Sequence, residues 1–138
     1  MSGKSGIGET RGTSPFVALG HSGSTEYGGL ETFENPGVTR VQMTSDELAA
    51  ICPVTRQPDL YVVTIDYAPR LLCLESKSLK LYLMQYRNEG VFCESLAVKI
   101  RDDVATALEV EPSAVHVTLV QKARGGITIT ATAATESP

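Results

Sequence analysis

The feature that most restricts the fold of this chain is an apolar residue at every fourth position of one stretch: Phe92, Leu96, Ile100, Val104 and Leu108. Lys99, Arg101, Asp102 and Asp103 lie between them. That spacing makes one apolar stripe on an α-helix, with charge on the opposite face. It predicts a helix from about Phe92 to Glu109. A second helix is predicted before it, from about Ser76 to Arg87. Asn88-Glu89-Gly90 joins the two and is short enough to make them antiparallel neighbours. On both sides of this pair the pattern becomes that of strands. Val38–Met43 alternates, and Leu60–Tyr67 is β-branched and aromatic. Ala114–Gln121 and Ile127–Ala133 flank a hairpin-like turn at Arg124-Gly125-Gly126. Thr44-Ser45-Asp46-Glu47 reads as a capping box that opens a short helix, Ser45–Ile51, stopped at Cys52-Pro53. The order β, short helix, β, α, α, β, β implies an α+β fold, an antiparallel sheet with two helices on one face. Its other face and its edges need cover, which oligomerisation supplies.

At 138 residues the chain fits one domain. Nine of its twelve glycines precede position 38. Residues 1–29 bury too little apolar surface to offset their ordering entropy and read as a flexible tail. The folded part is expected over residues 30–133, with a frayed end at 134–138. A net charge of −4 gives no sign of a nucleic-acid partner. No apolar run approaches the ~18 residues of a membrane span, and no signal-peptide core is present, so a cytoplasmic protein is expected. Three cysteines without close spacing and two histidines suggest neither a disulfide framework nor a metal site.

Three places carry chemistry. Cys52 lies beside a proline, with Asp59 seven residues on across a Gln57-Pro58 turn. A thiol with a nearby acid/base is the minimum for covalent catalysis at an electrophilic carbon. A buried cysteine and a turn aspartate would give the same spacing. Glu75 to Lys80 places a carboxylate, two hydroxyls and two ammonium groups at a helix start. Lys77 and Lys80 share a helix face there, either as an anion site or as solvated lysines. Glu94 opens the second helix. It is either a first-turn carboxylate favoured by the dipole or an acceptor for the paired N–H groups of a guanine-like base. Cys73, in an apolar run, and His116, in a strand, read as structural.

Five segments together resemble one family. They are Leu30-Glu31-Thr32-Phe33-Glu34-Asn35-Pro36, Cys52 to Asp59 (CPVTRQPD), Glu75 to Tyr82 (ESKSLKLY), Tyr86-Arg87-Asn88 and Arg124-Gly125-Gly126-Ile127. In order and spacing they are similar to the short form of the NADPH-dependent 7-cyano-7-deazaguanine reductases, nitrile reductases of queuosine biosynthesis. The resemblance covers about residues 30–131. It implies the tunnelling fold, a four-stranded antiparallel sheet layered by two helices, with subunits joined into a barrel. A decamer of two stacked pentamers with active sites between subunits is implied. So are Cys52 as the nucleophile that forms a thioimide and Asp59 as the general acid/base. By the same likeness Glu94, Glu75, Ser76 and Cys93 would lie at the substrate, and Lys77, Lys80 and Arg124 at the phosphates of NADPH. One position departs from the pattern: the family usually has a histidine where this chain has Cys93. Two other functions fit the fold. One is a transferase that converts the same nitrile, in transfer RNA, to an amidine. The other is a non-catalytic binder of purines or pterins. The intact Glu75–Tyr82 stretch argues against the first, and Cys52 with Asp59 against the second.

Overall fold

The computed structural model describes residues 27–134; of the tails expected at 1–29 and 134–138, residues 1–26 and 135–138 lie outside the described residues. Six strands and two α-helices follow in order: β1 (Thr32–Glu34), β2 (Val41–Ile51), β3 (Pro58–Tyr67), β4 (Leu72–Leu74), α1 (Ser76–Met84), α2 (Cys93–Leu108), β5 (Val115–Arg124) and β6 (Ile127–Ala133). A 3-10 turn, Gln85–Asn88, extends α1 toward the link with α2. The main sheet is four-stranded and antiparallel in the order β2-β3-β5-β6. This is the α+β arrangement the helical hairpin between two strand pairs requires.

Alternation places every second residue of the central strands against the helices. Tyr61, Val63, Ile65 and Tyr67 of β3 and Val115, Val117 and Leu119 of β5 are buried. Leu96, Ile100, Val104 and Leu108 of α2 meet them as expected, in one core with Leu79, Tyr82 and Leu83 of α1. Phe92 does not join its predicted stripe. It precedes the first turn of α2 and is 53 % exposed.

The expected helix Ser45–Ile51 is instead the second half of β2. Leu48 pairs with Tyr61 and Ala50 with Asp59, so both point into the core, as period-2 residues do. A seven-residue helix is marginal alone, and pairing along β3 outcompetes it. The capping-box signal has a local cause: register shifts between Ser45 and Leu48, and the Ser45 hydroxyl accepts from the Glu47 amide at 3.2 Å. A serine that bonds the backbone two residues on serves a β-bulge as well as a helix start.

Two further strands were not legible. Three-residue β1 and β4 pair antiparallel in a small second sheet, Thr32 opposite Leu74. They anchor the start of α1. The Glu75 amide donates to the Glu31 carbonyl at 2.8 Å, and the Glu31 amide to the Ser78 hydroxyl at 2.9 Å. Tyr27, which sequence reading puts in the tail, stacks at a tilt on Tyr82 with ring centroids 5.7 Å apart.

Candidate active site

Cys52 leaves the end of β2 in a loop that closes on itself. Its amide donates to the Gln57 carbonyl at 2.8 Å, and the Arg56 amide donates to the Cys52 carbonyl at 2.9 Å. Arg56 takes the left-handed conformation to close the loop, with φ of 63°. This fold-back aims the Thr55 amide at the Cys52 sulfur, 3.5 Å away. The thiol is pulled down from 9.0 to about 7, chiefly by the Thr55 hydroxyl, then by the Thr55 and Val54 amides, with Arg124 adding to them. A large share of Cys52 is therefore thiolate at neutral pH.

Asp59 opens β3 in register with Ala50 and is only 4 % exposed. A bulge in β5 between Gln121 and Arg124 delivers its partner. Arg124 Nε donates to Asp59 Oδ1 at 2.9 Å, and Nη2 lies 2.8 Å from the same oxygen. Nη1 donates to the Thr55 hydroxyl at 3.4 Å and to the Gln57 side-chain carbonyl. Arg124 also stabilises the Cys52 thiolate, the largest cause of its own raised pKa. One guanidinium thus ties the Cys52 loop to the buried carboxylate.

The link between the helices brings the start of α2 to this loop. The Ile51 amide donates to Glu89 O at 2.9 Å and the Val91 amide to Ile51 O at 3.0 Å, a parallel bridge beside Cys52. Cys93 and Glu94 follow as the first two residues of α2. Cys93 is buried, and burial first, then Glu94 and Asp59, push its thiol up to about 11. Glu94 is exposed in the first turn. Cys52, Asp59, Arg124, Cys93 and Glu94 therefore form one group.

Glu75, Ser76, Lys77 and Lys80 form a second group at the start of α1. Glu75 is its N-cap: Oε2 accepts from the Lys77 amide and Oε1 from the Ser78 amide, each at 2.7 Å. This corrects the argument from the two lysines. The anion that answers the helix dipole and its free N–H groups is the chain's own buried carboxylate. Ser76 and Lys80 line a cleft of about 470 Å³ between α1 and β2, with Asp46 and Glu47 of the bulge on its opposite side. Arg124, expected with the lysines, lies in the first group.

Thr55, Gln57 and Tyr61 were missed as site residues. Thr55 and Gln57 lie inside the Cys52–Asp59 segment. Tyr61 follows Asp59 by two residues and so shares its face of β3.

The sequence profile of the family described as "QueF-like protein" matches residues 58–138. A protein of Chloroherpeton thalassium named NADPH-dependent 7-cyano-7-deazaguanine reductase is 42 % identical over 111 residues, 78 % of this chain and 94 % of that protein. A Nitrosomonas eutropha protein of the same name is 46 % identical over 101 residues, 71 % of each chain. The crystal structure of the archaeosine synthase QueF-Like in the apo form superposes with a TM-score of 0.65 at 25 % identity, over 74 % of this chain and 99 % of that one. By sequence profile, by relatives along most of its length and by fold, the chain belongs to the QueF-like family.

Proposed function

We propose that this protein reduces the nitrile of 7-cyano-7-deazaguanine to the aminomethyl group with NADPH, a four-electron reduction in queuosine biosynthesis. The observation that carries the reading is the Cys52 thiol held near pKa 7 by a loop that Arg124 ties to the buried Asp59. The Cys52 thiolate adds to the nitrile carbon. The nitrile nitrogen takes the thiol's proton through Asp59, which gives a thioimide. Attachment to sulfur makes that carbon easier to reduce than a free nitrile. NADPH supplies a hydride twice, and the second reduction follows release of Cys52 as the thiol. Glu94 accepts the paired N–H groups of the base. Arg124 holds Asp59 toward the thiol.

Lys77 and Lys80 fit the cofactor's phosphates by charge and by their shared helix face. Asp46 and Glu47 suit ribose hydroxyls better than phosphates, so the phosphates belong on the outer side of Lys80. Glu75 and Ser76, at the start of α1, face the substrate in this reading. The two unpaired edges of the main sheet, β2 and β6, suit a ring of copies, in this reading a decamer of two stacked pentamers. A free-base substrate and NADPH place the enzyme in the cytoplasm.

Archaeosine-type transfer to the same nitrile is the second reading, favoured by the fold match alone. One assay separates the two: protein, 7-cyano-7-deazaguanine and NADPH, with absorbance and intact protein mass followed together. A Cys52 adduct lost in Cys52→Ala, with NADPH oxidation, is expected. An adduct without oxidation points to the transferase. No adduct removes both readings.

A further inference from the structure

Tyr61 is fully buried, and its hydroxyl has no hydrogen-bond partner among the described residues. Leaving such a group unsatisfied forfeits its hydrogen bond to water with nothing in return, so native cores seldom keep one without use. The residues around it are informative. Asp59 lies two residues earlier on the same face of β3. The ionisable groups that act on the hydroxyl are Cys93, Asp59, Glu94 and Cys52, in descending order. Tyr61 therefore lies on the face of β3 that carries Asp59, near both Glu94, assigned to the base edge, and Cys52, assigned to the nitrile. Cys93, its strongest ionisable neighbour, occupies the position where the family usually has histidine.

Volume is the second observation. Cys93 is 2 % exposed and shares one core with Tyr61. An imidazole is larger than a thiol, so at this buried position it would overpack the core that Tyr61 also fills.

Resting on the function proposed above, we propose that Tyr61 is a substrate-positioning residue. From the sheet, it supplies the hydrogen-bond donor that a histidine at position 93 would supply from the helix. Its target is the carbonyl oxygen of the deazaguanine ring. In 7-cyano-7-deazaguanine that oxygen lies between the N–H edge and the nitrile, and the groups assigned to those two ends, Glu94 and Cys52, both act on Tyr61. The hydroxyl is sealed from solvent in the free chain, so the bond forms only when the base seats against Glu94 and displaces the Cys93 side. Burial raises the phenol's pKa well above neutral, so it remains a neutral donor and cannot act as an imidazolium would.

The test uses Tyr61→Phe, Cys93→His and the double variant Tyr61→Ala/Cys93→His in the full chain. Tyr61→Phe removes only the oxygen and is expected to fold with no loss of melting temperature. It should weaken 7-cyano-7-deazaguanine binding about tenfold by calorimetry, while a preformed thioimide is reduced at the wild-type rate. Cys93→His alone should bind substrate worse than wild type, and the added Tyr61→Ala should recover at least tenfold of that loss. Unchanged substrate affinity in Tyr61→Phe would make the hydroxyl a packing defect and overturn the proposal. So would a gain from Cys93→His alone. If wild type itself forms no thioimide, the nitrile-reductase reading fails instead, and that outcome is recognised before any variant is compared.

Discussion

At the scale of single residues, Cys52 and Cys93 are the same side chain driven in opposite directions. Hydrogen bonds from the Thr55 hydroxyl and two amides lower Cys52 to about 7. Burial raises Cys93 to about 11. A thiol alkylates as its thiolate, so below its pKa the rate falls about tenfold per pH unit, and above it the rate levels off. Iodoacetamide labelling between pH 5 and 9 should show Cys52 rising to a plateau just above pH 7, with Cys93 unlabelled throughout. Thr55→Val keeps the shape and removes the largest stabilising contact, so its plateau should move to higher pH. An unmoved profile would assign the shift to the backbone instead. Arg124→Gln acts mainly on the buried Asp59, which loses both of its guanidinium contacts. Thioimide formation should fall at least tenfold with little change in the KM for NADPH. The reverse result would return Arg124 to the cofactor phosphates.

At the scale of elements, both helices show what sequence can and cannot disclose. The α2 stripe was legible because burial repeats every fourth residue, and the hairpin link was legible because Asn88-Glu89-Gly90 is short. The β2 segment Ser45–Ile51 was misread because a hydroxyl-to-amide contact looks alike at a helix start and at a bulge. The partner strand that decides between them lies across a loop. The three-residue strands β1 and β4 carry too few residues to show a period. That Asp59 follows the Cys52 loop at the start of a strand was legible from the CPVTRQPD segment. Arg124 as their clamp was not, because a bulge 65 residues further on aims it. The termini of the helices yield the element-scale prediction. Glu109 ends α2 in the left-handed conformation, φ 58°. Glycine takes that conformation without the side-chain clash. Glu109→Gly should stabilise the fold by about 1 kcal/mol in urea titration, as the left-handed penalty for a non-glycine residue indicates. Glu75→Ala removes two bonds to helix N–H groups and should cost about 1–2 kcal/mol, in the range of lost N-caps. No change in the second variant would mean that water caps α1 as well as the carboxylate does.

At the scale of the whole molecule, the contacts that tie Asp59 and the Cys52 loop to Arg124 all lie within one chain. Val54, Leu60, Phe92 and Ile127 are all more than half exposed. Val54 lies in the Cys52 loop, Leu60 follows Asp59, Phe92 precedes Cys93, and Ile127 is the register partner of Arg124. In the ring proposed above, these large apolar side chains left in water belong to the surface that another copy covers. The free edges of β2 and β6 supply the means, since joining one chain's edge to the other edge of the next closes a ring. The two facts predict that assembly and chemistry separate in a defined way. Ile127→Glu puts a charge into the covered surface and leaves Thr55, Arg124 and Asp59 in place. Light scattering should show a smaller particle, and NADPH oxidation should fall by at least tenfold. Labelling of Cys52 should still level off just above pH 7, because every group that lowers its pKa belongs to its own chain. A smaller particle with full turnover would mean that one chain holds both substrate and NADPH. A lost plateau would mean that the neighbouring subunit builds the nucleophile as well as covering it.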